Sequence, residues 1–161
     1  MKKWNGIVIH CSDSSWGTQQ DIRHWHLARG FRTTGYHFVI DNGTYANDFR
    51  IPSLDGMIET GRNINQIGAH ARGYNKTHIG ICLIGRGAFT KKQLAALFSL
   101  TQDLMRIYDI PVDNIIGHRE CRGTHKRCPC FDVAYLRESL YRDDLHAFVS
   151  LLSKLSGVNA A

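Results

Sequence analysis

The 161-residue chain is 43% hydrophobic and 21% charged, an ordinary composition for a soluble globular protein, and its length suits one domain with its own core. Twenty basic against fourteen acidic side chains leave +6, which favours anionic partners (nucleic acid, a membrane surface, an acidic cell envelope) no more than it favours simple solubility. No apolar run approaches bilayer-spanning length and no signal-peptide core follows Met1-Lys2-Lys3-Trp4-Asn5, so cytoplasmic synthesis without a secretion signal is expected, and the chain is not expected to span a membrane.

In chain order, Gly6 to Cys11 is short, apolar and β-branched and predicts a buried strand ending at His10-Cys11. Thr18 to Arg29 predicts a helix closed by Gly30. Tyr36, Phe38 and Ile40 alternate within Thr33 to Ile40, which predicts a strand, and Asp41-Asn42-Gly43 then marks a turn. Asn42 to Gly56 is polar and contains Pro52. It reads as an irregular surface insertion that either lines a groove or is plain loop, before Met57 to Thr60 resumes a short strand. His78 to Ile84 predicts another buried strand, and Gly85 to Phe89 a loop.

Thr90 to Tyr108 carries Leu94, Leu97, Phe98, Thr101, Leu104, Met105 and Tyr108 on one helical face, with Thr90 and Gln93 as a capping box. Ile115-Ile116 predicts a brief strand leading into His118. Val133 to Tyr141 and Asp144 to Leu155 predict two short helices, with fraying ends beyond. Strands and helices alternate, but some connections are of hairpin length. The expected fold class is therefore α/β, a single domain with a mixed central β-sheet flanked by helices. The domain is expected to occupy 1–161, with its core at about 4–142 and a C-terminal helical extension at 143–161.

The five cysteines are Cys11, Cys82, Cys121, Cys128 and Cys130; an odd number without a secretion signal argues for metal binding or burial over a disulfide scaffold. Cys11 and Cys82 sit in apolar strands and read as core. His10 and His118 each end a strand, and Cys128 lies in the loop that follows. Two imidazoles and a thiolate can hold one zinc ion with a fourth position left for water, the pattern of a catalytic site. Nine histidines and five cysteines allow many combinations, so spacing alone leaves the ligand set open. The basic residues are densest between Arg119 and Arg127, but there is no basic helix or nucleic-acid motif, and no specific nucleic-acid partner is expected.

Several segments, taken in order, narrow the choice. They include Ile7-Val8-Ile9-His10-Cys11-Ser12, Gly35-Tyr36-His37-Phe38, Gly68-Ala69-His70-Ala71-Arg72-Gly73-Tyr74-Asn75, Ile79-Gly80-Ile81-Cys82, Gly117-His118-Arg119-Glu120 and Lys126-Arg127-Cys128-Pro129-Cys130-Phe131-Asp132. In these segments, from Ile7 to about Leu136, the chain resembles the zinc-dependent N-acetylmuramoyl-L-alanine amidases of the bacteriophage T7 lysozyme type, a superfamily shared with the peptidoglycan recognition proteins.

The resemblance implies that His10, His118 and Cys128 bind Zn2+, that Tyr36 and Lys126 support catalysis, and that His70 lies near the substrate, with a local hydrogen-bonding role for His70 equally open. It implies hydrolysis of the amide between N-acetylmuramic acid and L-alanine in peptidoglycan. It further implies a phage or prophage endolysin, monomeric, acting on the wall in the periplasm and dependent on a holin for export. Cys130, the rival ligand, falls out of register with this pattern, whereas Cys128 lies two residues after Lys126. Some relatives carry a glutamate, proposed as general base, where this chain has Cys82. A non-catalytic peptidoglycan-binding module is the alternative, but such modules lack the cysteine ligand that Cys128 supplies here. Glu120 reads equally as a partner that orients a ligand histidine or as one end of a surface salt bridge. His24, His26 and His37 read as structural or surface residues, His125 and His146 as exposed, and Trp25, Phe98 and Leu104 as core.

Overall fold

The computed structural model describes residues 2–155; the expected fraying of the last residues falls outside them. Strand β1 (Gly6–Cys11) is buried along its whole length, and its alternation divides it between the faces of the sheet. Ile7, Ile9 and Cys11 enter the larger core, while Val8 and His10 point to the other side. Strands β2 (Phe38–Thr44), β3 (Arg50–Thr60), β4 (His78–Leu83) and β5 (Ile115–Gly117) complete a five-stranded sheet in the order β3-β2-β4-β1-β5. β1 is parallel to both β4 and β5, β2 is parallel to β4, and only β3 runs antiparallel. The fold is thus mixed α/β in one domain, as the alternation of elements suggested.

Four α-helices cover the sheet among the described residues. α1 (Gln19–Ala28) begins at Thr18, whose hydroxyl accepts from the Asp21 N–H while Asp21 accepts from the Thr18 N–H. Its Ile22 packs with Val39, Cys82 and Ile84 on the face that also bears His10. The opposite face carries α2 (Lys91–Tyr108), α3 (Ala134–Arg142) and α4 (Leu145–Leu155). Leu94, Leu97, Phe98 and Leu104 of α2 join Leu136, Leu140, Phe148 and Leu152 in one core beneath Ile7, Ile9, Ile79 and Ile81. The expected Thr90–Gln93 box forms, and buried Gln93 also donates from Nε2 to the carbonyls of Ile40 (3.1 Å) and Ile84 (2.8 Å), tying α2 to β2 and to the residue that follows β4. No helix among the described residues is long and apolar enough to cross a membrane.

The second strand departs from its expected limits. β2 starts at Phe38 rather than Thr33, because Gly35 and Tyr36 bond to loops: Ala69 N–H donates to the Gly35 carbonyl, and Arg62 N–H to that of Tyr36. The Asp41-Asn42-Gly43 turn is instead part of β2, where the pairing with β3 shifts register on either side of Asn42. The chain reverses further on, at Asn47 and Asp48, both with left-handed φ (59° and 57°). Asn42 to Gly56 is therefore mostly β-hairpin rather than irregular insertion. Its polarity reflects an exposed edge strand, β3, which is wetted along much of its length.

Candidate active site

His10 is the fifth residue of β1, paired across the sheet with Cys82 of β4, and is almost wholly buried. His118 opens a single 3₁₀ turn, His118–Glu120, directly after β5. Because β5 lies beside β1, the two imidazoles emerge together, with ring centroids 4.6 Å apart. Cys128 comes from the loop before α3. The Arg119 N–H donates to the Cys128 carbonyl at 2.7 Å, so the two ligand-bearing loops are sewn together. One donor atom from each of His10, His118 and Cys128 falls within 4.8 Å of the others.

Those residues fit a zinc ion. Bond lengths of about 2.3 Å to sulfur and 2.0 Å to nitrogen in a tetrahedron separate such donors by about 3.5 Å; the His10 Nδ1 to Cys128 Sγ distance is 3.8 Å. Burial, with His70, His118 and Lys126 as added influences, depresses the pKa of His10 well below its usual value. Burial and then Lys126 depress that of His118. Both rings are thus neutral near pH 7, the state a metal requires.

The donors stand at a groove of about 1190 Å³. Tyr36 and Lys126 both line it. The Tyr36 ring lies 5.0 Å from that of His10, and burial, with the Cys82 thiol next in effect, holds its hydroxyl protonated. Lys126 is exposed on the loop, close enough for its charge to act on both His10 and His118. Arg29, Arg86, Arg119 and Arg127 add further positive charge to the lining, against the single carboxylate of Asp13 among its described residues. None of residues 42–56 is among the lining residues, so that segment is hairpin and not groove wall.

The remaining sequence candidates sort by contact. His70 lines the groove, but its ring is engaged on both sides: Nδ1 lies 3.0 Å from His10 Nε2, and Nε2 lies 3.1 Å from the His78 carbonyl. His37 is buried, accepting from the Gly80 N–H at Nδ1 and donating from Nε2 to the Gln66 carbonyl. Glu120 accepts from the Gly117 N–H at 2.6 Å and pairs with Arg137 at 3.0 Å, bracing the turn that carries His118. Cys82 is fully buried beside Tyr36, and its thiol is pushed well above its usual pKa by burial. Cys121 is buried with Val8 and Ala71, and Cys130 is exposed. Cys11, expected in the core, is also a groove residue, its sulfur 3.7 Å from that of Cys130.

Two residues that the sequence reads as core or as structural line the groove. Trp25, expected in the core, is half-buried and lines the groove. His26 accepts from the Gly35 N–H at 2.8 Å, stacks on Phe31 and lies 5.4 Å from the Tyr36 ring, so it buttresses Tyr36; burial lowers its pKa to about 4. The signal for both was their helical spacing, which puts Ile22, Trp25, His26 and Arg29 along one side of α1.

A family model described as N-acetylmuramoyl-L-alanine amidase matches residues 1–131. The chain belongs to that family. It is 34% identical over 140 residues to the endolysin of Escherichia phage T7, covering 80% of this chain and 82% of the relative. Among solved structures, the N-acetylmuramoyl-L-alanine amidase LysC from Clostridium intestinale superposes with a TM-score of 0.72 at 30% identity, over 87% of each chain. Wild-type Drosophila PGRP-LB superposes with a TM-score of 0.62 at 32% identity, over 80% of this chain and 76% of that one.

Proposed function

We propose that this chain is a zinc-dependent endolysin that hydrolyses the amide between the lactyl group of N-acetylmuramic acid and the first L-alanine of the peptidoglycan stem. The observation that carries the reading is the convergence of His10, His118 and Cys128 beside a groove that Tyr36 and Lys126 line. Bound to those three residues, zinc supplies Lewis acidity toward the amide carbonyl and the attacking water.

The chain's own groups do the rest. Lys126 offers a cation to the oxygen that gains negative charge as the carbonyl becomes tetrahedral. Tyr36, held protonated, donates a hydrogen bond to that oxygen or orients the water. Cys82 stands where some relatives have a carboxylate, and a thiol kept protonated by burial is a poor base, so the proton passes to solvent, directly or relayed through the Tyr36 hydroxyl. The basic groove suits the carboxylates of a stem peptide. The catalytic unit is assigned to about 4–142, with 143–161 as its C-terminal extension. It is assigned as a monomer that reaches the periplasmic wall by a holin-dependent route after cytoplasmic synthesis.

The test uses outer-membrane-permeabilised Gram-negative cells and purified peptidoglycan. Falling turbidity that a chelator stops and zinc restores, with mass spectrometry finding stem peptides that begin at free L-alanine, is the expected result. Wall binding without release by zinc-loaded protein would make the chain a recognition module instead.

A further inference from the structure

We propose that His70 is a positioning residue that fixes the tautomer and orientation of His10, presenting His10 Nδ1 as the metal-binding atom. The inference rests on the metal site proposed above, but its hydrogen-bond part stands on the protein alone.

The argument starts at the far end of the chain of contacts. The His78 carbonyl can only accept, so His70 Nε2, 3.1 Å away, must carry the hydrogen. A neutral imidazole has one N–H, which leaves His70 Nδ1 with a bare lone pair. That lone pair faces His10 Nε2 at 3.0 Å, so His10 must donate from Nε2. His10 in turn keeps its lone pair at Nδ1, the nitrogen that faces Cys128 Sγ. One backbone oxygen of β4 thus dictates the tautomers of two successive rings. A ligand histidine whose other nitrogen is engaged in this way is held in direction and made a better base.

The packing around His70 is built for this. A side-chain carbon placed on Gly80 would meet the ring at 2.6 Å, and one on Gly68 would meet it at 2.4 Å, so both glycines let the backbone close against the imidazole. The His70 N–H donates to Asn75 Oδ1 at 2.7 Å, which anchors the loop from which the ring projects. With both nitrogens committed inside the protein, the ring has no donor or acceptor left for a substrate.

The first test is nitrogen-15 NMR of the metal-free wild-type protein, which needs neither zinc nor activity. His10 is expected as the Nε2–H tautomer with a scalar coupling to His70 Nδ1; the Nδ1–H tautomer at His10 would overturn the inference. The second test is zinc affinity by chelator competition. His70→Ala is expected to weaken binding about 10- to 100-fold with KM within about twofold of wild type. His70→Asn, whose amide oxygen can accept in place of Nδ1, is expected to recover much of the loss. Gly80→Ala, which displaces the ring without removing it, is expected to weaken zinc binding in the same direction. Unchanged zinc affinity in His70→Ala with a raised KM would make His70 a substrate contact and sink the proposal. Should wild-type protein bind no zinc at all, the metal-dependent function fails, while the NMR result still decides the hydrogen-bond relay.

Discussion

The backbone N–H of Cys11 donates to the sulfur of Cys128 at 3.1 Å, across 117 residues of sequence. The end of β1 therefore places two of the three donors at once: His10 by its side chain and Cys128 through the next peptide. Replacing the sulfur tests the site directly. Cys128→Ser keeps a side chain that can take the same N–H but supplies a neutral hydroxyl in place of a thiolate. It should weaken zinc binding by more than about a hundredfold, since even indirect partners of such ligands are worth 10- to 100-fold. Metal content after dialysis should drop while the circular dichroism spectrum stays that of wild type. Retention of one zinc per chain would show that Cys128 is not a ligand.

Tyr36 and Lys126 should separate from the metal donors in behaviour. Neither side chain is in the His10, His118, Cys128 group. Tyr36→Phe and Lys126→Ala are expected to keep zinc at wild-type stoichiometry and to lose roughly a hundredfold or more in rate, the usual effect of deleting one donor to a tetrahedral intermediate. Rates on purified peptidoglycan, normalised to bound zinc, provide the check. A double variant with full activity would remove both roles.

Much of this was legible in the sequence, for physical reasons that differ from element to element. β1 and β4 are continuous apolar runs because both faces of the sheet are buried, and α2 carries helical periodicity because one of its faces is. The Thr90–Gln93 cap is a local interaction, so local reading finds it. Asn42 to Gly56 misled because an edge strand with a solvated face looks like loop, and the register shift at Asn42 hides its alternation. The relation between His10 and His70 was not readable at all. It depends on β4 lying beside β1, which no spacing along the chain encodes. Trp25 was assigned to the core because an aromatic on an amphipathic helix usually is; here α1 overhangs the groove.

The C-terminal helix α4 was expected as an extension, yet it contributes Phe148 and Leu152 to the main core. Phe148 is fully buried, 6.2 Å from the ring of Phe98 and 6.5 Å from that of Phe131. Phe131 lies just beyond Cys128, so α4 also backs the loop that carries the thiol. Phe148→Ala is expected to cost about 3–5 kcal/mol of folding stability, measured by urea denaturation. A loss below about 1 kcal/mol would mean that α4 can detach without consequence, contrary to a burial this complete.

Asp41 makes stability depend on pH in an unusual direction. It is 1% exposed, and among the described residues neither carboxylate oxygen has an N–H or O–H donor. Burial, then the charges of Glu59 on β3 and Asp21 on α1, raises its pKa from 3.8 to about 8. The same acidic group also pushes up the hydroxyl of Tyr45, after burial. Glu59 accepts from the Gln19 N–H at 2.8 Å. The folded state thus binds a proton that the unfolded chain releases above its ordinary carboxyl pKa. The contribution is complete below about pH 4 and is lost as pH rises to about 8. Asp41→Asn removes the titration and leaves an amide that can donate to Glu59. It should change stability little near pH 4 and raise it by several kcal/mol at pH 8.5, up to roughly 5 kcal/mol for a shift of this size. Urea midpoints at the two pH values read this out, and parallel pH profiles for the two proteins would show that Asp41 is ionised in the native state.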